Sequence, residues 1–393
     1  MYKLNKNIPE GTRDLLYSEA ELYDRITESF TKTYELSGFE KVETPTVENY
    51  DLIAAVNRSI KQENLYKLTD NSGHLLVIRP DNTTPIARVA ATKLKNSALP
   101  QKLYYNQKIY RINGDYSGKR NEILQSGIEL IGTTGLKSDL LCIITALEAL
   151  KSLNLDCKLE IGHVGFFNAL LDELDLNEDE ALSVRSYVEA KNFVSLNMFD
   201  QKLQNDKIRR LPLLFGDRDV LEEAYKLAGD NDAAVETLKY VEKLYDLLVN
   251  AGYGDNIMID MGIVHKFDYY TGTVFRGYIE NAGEPVLKGG RYDRLLSSFD
   301  YDVPATGFAI NVCAVADALI KTSMLPETRH SDVIVHYNES TFNNAINVKK
   351  TYSEKGLICE LSVYDSIEET HKYAEKMNIG EVINLDKSTE DRK

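Results

Sequence analysis

The first strong periodicity along the chain is a stripe of apolar residues at every fourth position, Leu22, Ile26, Phe30 and Tyr34. This spacing places the stripe on one face of a helix. Ser18 and Glu21 have the spacing of a capping box, which predicts the helix start, and Gly38 predicts its end. The segment 39–45 then alternates like a strand and ends at a proline, a pattern typical of a sheet edge.

Between residues 74 and 132 the apolar pattern changes to that of strands. The predicted strands cover residues 75–78, 103–112 and 123–131. The segment 113–119 is rich in Asn, Gly, Asp and Ser, so the two strands beside it are predicted to form a long antiparallel hairpin. The apolar pattern of residues 136–153 predicts a helix packed on that sheet.

Residues 164–252 have a different character. Leu, Glu, Asp and Lys dominate at helical spacing, which predicts a helical insertion with a break near Pro212 and Gly216. Strand patterns return after the insertion, at residues 257–261, 273–279 and 305–312. A helix is predicted over residues 313–322.

The last part of the chain forms a second predicted domain. Residues 325–331 resemble a linker. Beyond them three predicted strands alternate with two predicted helices, as in a βαβαβ unit with a parallel sheet. We therefore expect two domains, a core over 1–325 that carries the helical insertion and a small α/β unit over 331–393.

Composition narrows the class of protein. Of 393 residues, 46 are Lys or Arg and 61 are Asp or Glu, so the net charge is −15, which argues against nucleic-acid binding. Hydrophobic residues make up 43%, which excludes disorder of the whole chain. The four cysteines and six histidines have no metal-site or redox spacing, and no cofactor motif is present. Without a signal peptide or a run of about 18 apolar residues, no membrane contact and a cytoplasmic location are expected.

Three separated polar stretches are candidates for the walls of one pocket. The first, residues 79–85 with Arg88, brings a carboxylate, a hydroxyl and a cation together just after a strand. By itself it is also explained as a helix start, with Asp81 capping free amides and Pro85 in the first turn. The sequence leaves both interpretations open.

The second stretch is the predicted hairpin. Arg111, Gln125 and Glu129 are polar positions in otherwise apolar strands, and alternation places Gln125, Gly127 and Glu129 on one face. Polar residues central in a sheet are either paired or ligand-binding, although a solvated sheet face also explains them.

The third stretch covers residues 264–275 and is followed by 289–293. Tandem tyrosines near tandem glycines bring aromatic walls and close backbone approach together. The alternative is a turn with surface tyrosines.

Together these stretches resemble the histidyl-tRNA synthetase family over about residues 8–322. Residues 9–14 resemble its N-terminal signature, 38–45 its class II motif 1 and 110–132 its motif 2. Residues 268–270 and 289–293 resemble its two histidine-specific motifs. The resemblance implies an α+β fold, a class II aminoacyl-tRNA synthetase-like antiparallel sheet flanked by helices, and a homodimer built through motif 1. The unit 331–393 resembles the beginning of the family's anticodon-binding domain.

The resemblance also implies a histidine pocket. Asp81, Thr83 and Gln125 match positions that hold the α-ammonium group, and Arg111 matches the position that holds the carboxylate. Positions around the imidazole are matched by Glu129, Tyr269, Tyr270 and Tyr292. Asp81 stands where the family usually has glutamate.

The departures from the family concern ATP. By resemblance, the catalytic arginine is replaced by His265 and the ATP-clamping arginine by Ala314, while Lys119 and Asn121 replace motif 2 arginines. Adenylation requires fixed positive charge, and each such group contributes about 3–4 kcal/mol to the transition state. We therefore expect no synthetase activity and no catalytic residues.

A retained amino-acid pocket without adenylation chemistry resembles the regulatory subunits of ATP phosphoribosyltransferase, which descend from the same family. This resemblance implies a non-catalytic subunit required for the first step of histidine biosynthesis, which joins ATP and phosphoribosyl pyrophosphate. Its implied partners are the short-form catalytic subunit, a second copy of itself in a hetero-oligomer, and L-histidine as feedback effector, bound in the pocket or at a subunit boundary. The alternatives are an active histidyl-tRNA synthetase and a tRNA-binding scaffold module.

Overall fold

In the computed structural model the chain divides into two units, Met1–Leu325 and Pro326–Lys393. The structure describes residues 6–56, 60–113, 118–174, 176–203, 207–263, 269–326 and 330–386. The strands of the larger unit are β1 (Glu40–Lys41), β2 (Val47–Asn49), β3 (Lys67–Thr69), β4 (Leu75–Ile78), β5 (Gln101–Tyr110), β6 (Glu122–Ile131), β7 (Cys157–His163), β8 (Phe215–Gly216), β9 (Ile257–Asp260), β10 (Thr273–Ile279), β11 (Leu287–Arg291) and β12 (Ala305–Asn311). Its helices are α1 (Ser18–Leu36), α2 (Tyr50–Val56), α3 (Thr83–Thr92), α4 (Leu136–Lys151), α5 (Val164–Leu171), α6 (Glu178–Glu189), α7 (Phe193–Leu203), α8 (Lys207–Arg210), α9 (Val220–Ala228), α10 (Asp232–Leu248) and α11 (Val312–Lys321).

One large sheet organises this unit, with the strand order β1-β5-β6-β12-β11-β10-β7-β9-β8. Strands β5 and β6 pair in antiparallel register along their whole length, from Gln101 opposite Ile131 to Tyr110 opposite Glu122. The predicted hairpin is therefore confirmed. Only the β1–β5 and β7–β9 pairs are parallel, so the sheet is predominantly antiparallel, as the fold class required.

Helix α1 is held to the sheet by its predicted apolar stripe. Phe30 and Tyr34 are fully buried, and the Tyr34 hydroxyl accepts a hydrogen bond from Ser126 Oγ on β6. The predicted capping box is wrong, because Ser18 is already in the first helical turn and makes no cap. Glu21 instead pairs with Arg25 one turn later, at 2.6 Å.

The predicted strand 75–78 is confirmed as β4, but it lies in a separate three-stranded sheet of order β2-β4-β3. Helix α3 follows β4 after four residues and contacts β6, so the first polar stretch lies beside the hairpin. Strands β7 and β11 of the large sheet were not predicted from the sequence. Their residues matter because β11 lies beside β12 and carries Gly290 and Arg291.

Helices α5 to α10 occupy the predicted helical segment. Its break near Pro212 and Gly216 is a short turn followed by β8, which pairs with β9 and forms the last strand of the large sheet. None of the described helices is long and apolar enough to cross a membrane. All four cysteines are buried and unpaired.

The smaller unit has the predicted alternation of β13 (Val333–His336), α12 (Phe342–Glu354), β14 (Cys359–Leu361), α13 (Ile367–Met377) and β15 (Glu381–Asn384). Its three strands are parallel in the order β14-β13-β15. A small apolar core of Val333, Val335, Ala345 and Cys359 holds α12 against the sheet.

Candidate functional site

A cavity of about 550 Å³ lies in the larger unit, lined by residues of β5, β6, β11, β12, α3 and α11 and by the segments that join them. The eight residues predicted to bind an amino acid all line this cavity: Asp81, Thr83, Arg111, Gln125, Glu129, Tyr269, Tyr270 and Tyr292. Residues from the three polar stretches are therefore brought to one place, although they are separated by as much as 211 positions in the sequence.

Two facing glycines of neighbouring strands, Gly307 and Gly290, form a glycine row that leaves room beside Glu129. Glu129 on β6 lies opposite Gly307 on β12, which in turn lies opposite Gly290 on β11. A Cβ atom at position 307 would collide with the Glu129 carboxylate, and one at position 290 would come within 2.8 Å of the Tyr270 ring. Glycine at both positions leaves the carboxylate and the ring in place.

Glu129 is the most deeply buried acidic residue among the predicted site residues, with 1% of its surface exposed. Its carboxylate accepts a hydrogen bond from Thr83 Oγ1 at 2.8 Å and another from the Tyr292 hydroxyl. Burial nevertheless raises the pKa of Glu129 to about 8, because loss of solvent outweighs these two bonds. This shift favours the protonated form of the carboxyl at neutral pH in the empty cavity.

Asp81 lies at the start of α3 and also in the cavity wall, where each interpretation of the first polar stretch expects it. Its Oδ1 accepts the backbone N–H of Thr84 at 2.7 Å and so caps α3, and the same side chain lines the cavity. The two cations of the stretch do not line it. Arg79 donates to the backbone carbonyls of Thr44 and Lys108, both at 2.7 Å, and the expectation that it faces the pocket is corrected.

Arg88 is the second cation that the structure places elsewhere. Its guanidinium pairs with Glu48 at 2.6 Å, and Glu48 is 7% exposed. Because Glu48 lies on β2, this ion pair attaches α3 to the small sheet. The pair is structural, and Arg88 is not among the residues that line the cavity.

The aromatic walls are formed by three tyrosines. The rings of Tyr269 and Tyr270 are 4.9 Å apart, and the ring of Tyr292 meets that of Tyr269 edge-on at 5.8 Å. Near them, Arg111 Nε donates to the Pro80 carbonyl at 2.6 Å. Burial lowers the pKa of the Arg111 guanidinium, while the Asp81 carboxylate opposes that shift.

The opposite end of the cavity is lined by the start of α11. Ala314 lies in its first turn and contributes only a methyl group. The nearby Arg120 is bound by both oxygens of Asp317, at 2.6 and 2.8 Å, and also donates to the Tyr23 hydroxyl. The guanidinium is therefore committed to the protein's own carboxylate.

Asn121 has a role that the sequence did not indicate. Its backbone N–H donates to the carbonyl of Gly11 at 2.8 Å, and its side chain donates to the carbonyl of Glu10 at 3.1 Å. Gly11 has φ of +71°, and a Cβ atom there would lie 2.5 Å from the Asn121 side chain. Asn121 therefore anchors the N-terminal signature to the hairpin.

Arg291 belongs to a buried polar cluster of side chains that is centred on Asp139. It pairs with Asp139 at 2.6 Å and donates to Ser138. The same Asp139 carboxylate accepts hydrogen bonds from Tyr240 of α10 at 2.8 Å and from Thr273 of β10 at 2.6 Å. The cluster joins the inserted helices to the strand that precedes Tyr292.

Only part of the third polar stretch lies among the residues that the structure describes. His265, Lys266 and Asp268 lie outside the described residues, so the position matched to the catalytic arginine has no structural account. Among the residues that the structure describes, no group of His, Cys, Asp or Glu is placed to hold a metal ion.

Comparison with known proteins gives a consistent result. Residues 11–315 match the family model for histidyl-tRNA synthetase. An ATP phosphoribosyltransferase regulatory subunit from Clostridium acetobutylicum is 41% identical, with 98% of this chain and 97% of that protein covered. One from Clostridium botulinum is 40% identical, with 98% of this chain and 92% of that protein covered.

The solved structure of an ATP phosphoribosyltransferase regulatory subunit/histidyl-tRNA synthetase from Bacillus halodurans is also similar. It matches with a TM-score of 0.86 at 32% identity, and the match covers 98% of this chain and 99% of that one. The predicted class II fold is thereby confirmed.

Proposed function

This chain belongs to the ATP phosphoribosyltransferase regulatory subunits of the histidyl-tRNA synthetase family, and we propose that its cavity binds free L-histidine as a feedback effector. The observation that carries this proposal is the convergence of all eight predicted side chains on one cavity. The catalytic subunit of ATP phosphoribosyltransferase is the partner that the family name implies, and this chain would transmit the histidine level to it.

The chemistry of the lining fits an amino acid. An α-ammonium needs acceptors, which Asp81, Thr83 and Gln125 offer at one end of the cavity. Arg111 is the cation suited to the carboxylate, since a guanidinium presents two parallel N–H groups. The buried Glu129 and the tyrosine walls suit an imidazole, which carries one or two ring N–H groups.

The absence of catalysis is a separate part of the proposal. Ala314 brings no charge, Asn121 holds the N-terminal segment, and Arg120 is neutralised by Asp317. Two missing cations at about 3–4 kcal/mol each would slow adenylation by about 10⁴-fold or more. We therefore infer that the subunit works by binding, as a homodimer within a hetero-oligomer. The cytoplasmic location stays a prediction.

Feedback by this subunit requires a coupling free energy between two sites. Histidine would favour one conformation of the subunit, and that conformation would hold the catalytic partner in a less active state. Coupling of this kind is reciprocal, so the assembled complex should bind histidine with a different affinity from the free subunit.

The proposal predicts that Arg111→Ala removes inhibition by histidine and leaves assembly intact. Calorimetric titration of the free subunit should show L-histidine binding and no ATP binding, and the variant should bind histidine at least tenfold more weakly. Activity of the reconstituted complex is then measured against histidine concentration. The control is Arg218→Ala, which removes an exposed arginine of the insertion far from the cavity lining.

Three results would contradict this proposal. Unchanged inhibition in Arg111→Ala would place the effector site elsewhere, for example at a subunit boundary. Histidyl-tRNA formation by the purified chain would favour the synthetase alternative. Tight tRNA binding that persists at physiological salt would favour the scaffold alternative.

The glycine row gives a second prediction. Gly307→Ala places a methyl group against the Glu129 carboxylate and too close to the backbone carbonyl oxygen of Ile128. We therefore expect histidine affinity to fall at least tenfold, together with a loss of stability that urea denaturation measures separately. Gly283→Ala is the matched control, because a Cβ atom there meets nothing within 4 Å although the residue also lines the cavity. Equal histidine affinity in the two variants would contradict the assignment of Glu129 to the ligand.

A further inference from the structure

Asn82 is a buried residue of the cavity wall that neither the sequence prediction nor the family resemblance assigned. It lies between Asp81 and Thr83, just before α3, and only 1% of its surface is exposed. Its Nδ2 group donates to the backbone carbonyl of Gln107 at 3.3 Å and to Oε1 of Gln125 at 3.2 Å. It therefore connects two residues of neighbouring strands, β5 and β6.

The orientation of both amides follows from the Gln107 carbonyl. A carbonyl oxygen only accepts hydrogen bonds, so the NH₂ group of Asn82 has to face it. The same NH₂ group then faces Gln125 and has to meet an oxygen there. Oε1 of Gln125 is consequently turned toward the segment that carries Asp81 and Thr83, and its own NH₂ group is turned away from that segment.

The other atom of the Asn82 amide indicates that this arrangement is not kept for stability alone. Oδ1 of Asn82 is buried and has no hydrogen-bond partner among the described residues. A buried acceptor without a donor costs free energy, and an apolar side chain of similar shape would not carry that cost. Asparagine at this position is therefore explained by a function that uses its NH₂ group, although its oxygen has no donor.

We propose that Asn82 is a positioning residue that selects ligands with a free α-ammonium group by fixing the oxygen of Gln125 toward the ammonium. The inference rests on the proposed function, in which Asp81, Thr83 and Gln125 surround that group. A Gln125 amide in the opposite orientation would present N–H donors to an ammonium and repel it. Asn82 acts on the ligand through Gln125 and does not itself have to touch it.

The test compares two ligands that differ only in the amino group, L-histidine and 3-(imidazol-4-yl)propionate. Asn82→Leu should bind L-histidine at least tenfold more weakly than the unchanged subunit, while affinity for the propionate changes less than about twofold. Ligand-observed NMR measures the weaker ligand. Asn82→Ala is made in parallel, so that a folding failure of one variant leaves the test intact.

Two controls separate positioning from packing. Asn106→Leu is the matched control. Asn106 lies on β5 and, like Asn82, has a buried Oδ1 without a hydrogen-bond partner among the described residues. Its NH₂ group donates to Thr31, and the residue does not line the cavity. The control should leave both affinities unchanged. In a Gln125→Ala background, Asn82→Ala should cost no further affinity for L-histidine, since its effect passes through that amide.

Four outcomes would overturn the inference. Equal losses for both ligands in Asn82→Leu would show a packing role, and an undiminished effect of Asn82→Ala in the Gln125→Ala background would show an independent one. If the unchanged subunit binds the propionate as well as histidine, no ammonium selection exists, although the cavity would still take an imidazole ligand. Binding of neither ligand would remove the proposed function itself, and this inference with it.

Discussion

Replacing Glu129 with glutamine is expected to stabilise the unliganded subunit at alkaline pH and to remove most of its affinity for histidine. The pKa of this buried carboxyl is raised from its ordinary value of 4.5 to about 8. A raised pKa means that the native state holds the proton more tightly than the unfolded chain does. The free energy of unfolding therefore falls as pH rises between about 4.5 and 8, by as much as about 1.4 kcal/mol per pH unit.

Glutamine has a similar shape but no charge, so Glu129→Gln escapes this loss. By pH 9 the variant should be more stable than the unchanged protein by about 3–5 kcal/mol, and by little at pH 5. Histidine affinity should fall about a hundredfold, because the variant lacks the anion that is proposed to receive the imidazole N–H. Urea denaturation at several pH values and calorimetry measure the two effects.

The control for this prediction is Glu122→Gln, on the same strand. Glu122 pairs with Lys108 at 2.6 Å, half of the Lys108 side chain is exposed, and Glu122 is not part of the cavity lining. The control should show neither the alkaline stabilisation nor the loss of histidine. A Glu129→Gln protein with unchanged pH dependence would mean that Glu129 is already ionised in the native state.

The largest loss of stability is expected for Arg291→Met. The guanidinium is 6% exposed and is the cation paired with Asp139, which is 1% exposed. Removing it leaves a buried carboxylate without its counter-charge, which typically costs about 3–5 kcal/mol. Urea denaturation at neutral pH measures the change in the free energy of unfolding.

A second substitution identifies the cause of that loss. Arg291→Met combined with Asp139→Asn removes the uncompensated charge, so the double variant should be more stable than Arg291→Met alone. Arg218→Met serves as the exposed control, and the loss of its two surface ion pairs should leave the free energy of unfolding nearly unchanged, because solvent screens them. If the double variant is the less stable one, lost packing rather than charge accounts for the effect.

One wall of the site could be predicted from periodicity, because side chains alternate along a strand. The pattern on β6 placed Gln125, Gly127 and Glu129 on one face, and the hairpin register confirms that face and its position beside β12. The identity of the eight lining residues came from resemblance to a family and not from spacing. Their roles toward histidine remain predictions.

What the sequence missed depends on partners that are distant along the chain. Arg79 and Arg88 looked like pocket cations, but the carbonyl of Thr44 and the carboxylate of Glu48 bind them. Strand β11 was missed because it contains two glycines, and glycine is depleted in β-strands. Asn82 gave no pattern at all, since only the fold brings it against Gln107 and Gln125.

The glycine row of β12 and β11 has a consequence for protein turnover. Where most sheets carry side chains, this one leaves a space beside Glu129 that the proposed ligand would fill. A ligand that binds only the native state adds about 2.7 kcal/mol to the free energy of unfolding at a hundred times its Kd. Degradation through transient global unfolding would then slow about a hundredfold. The lifetime of the subunit in a cell would thus follow the supply of its proposed effector.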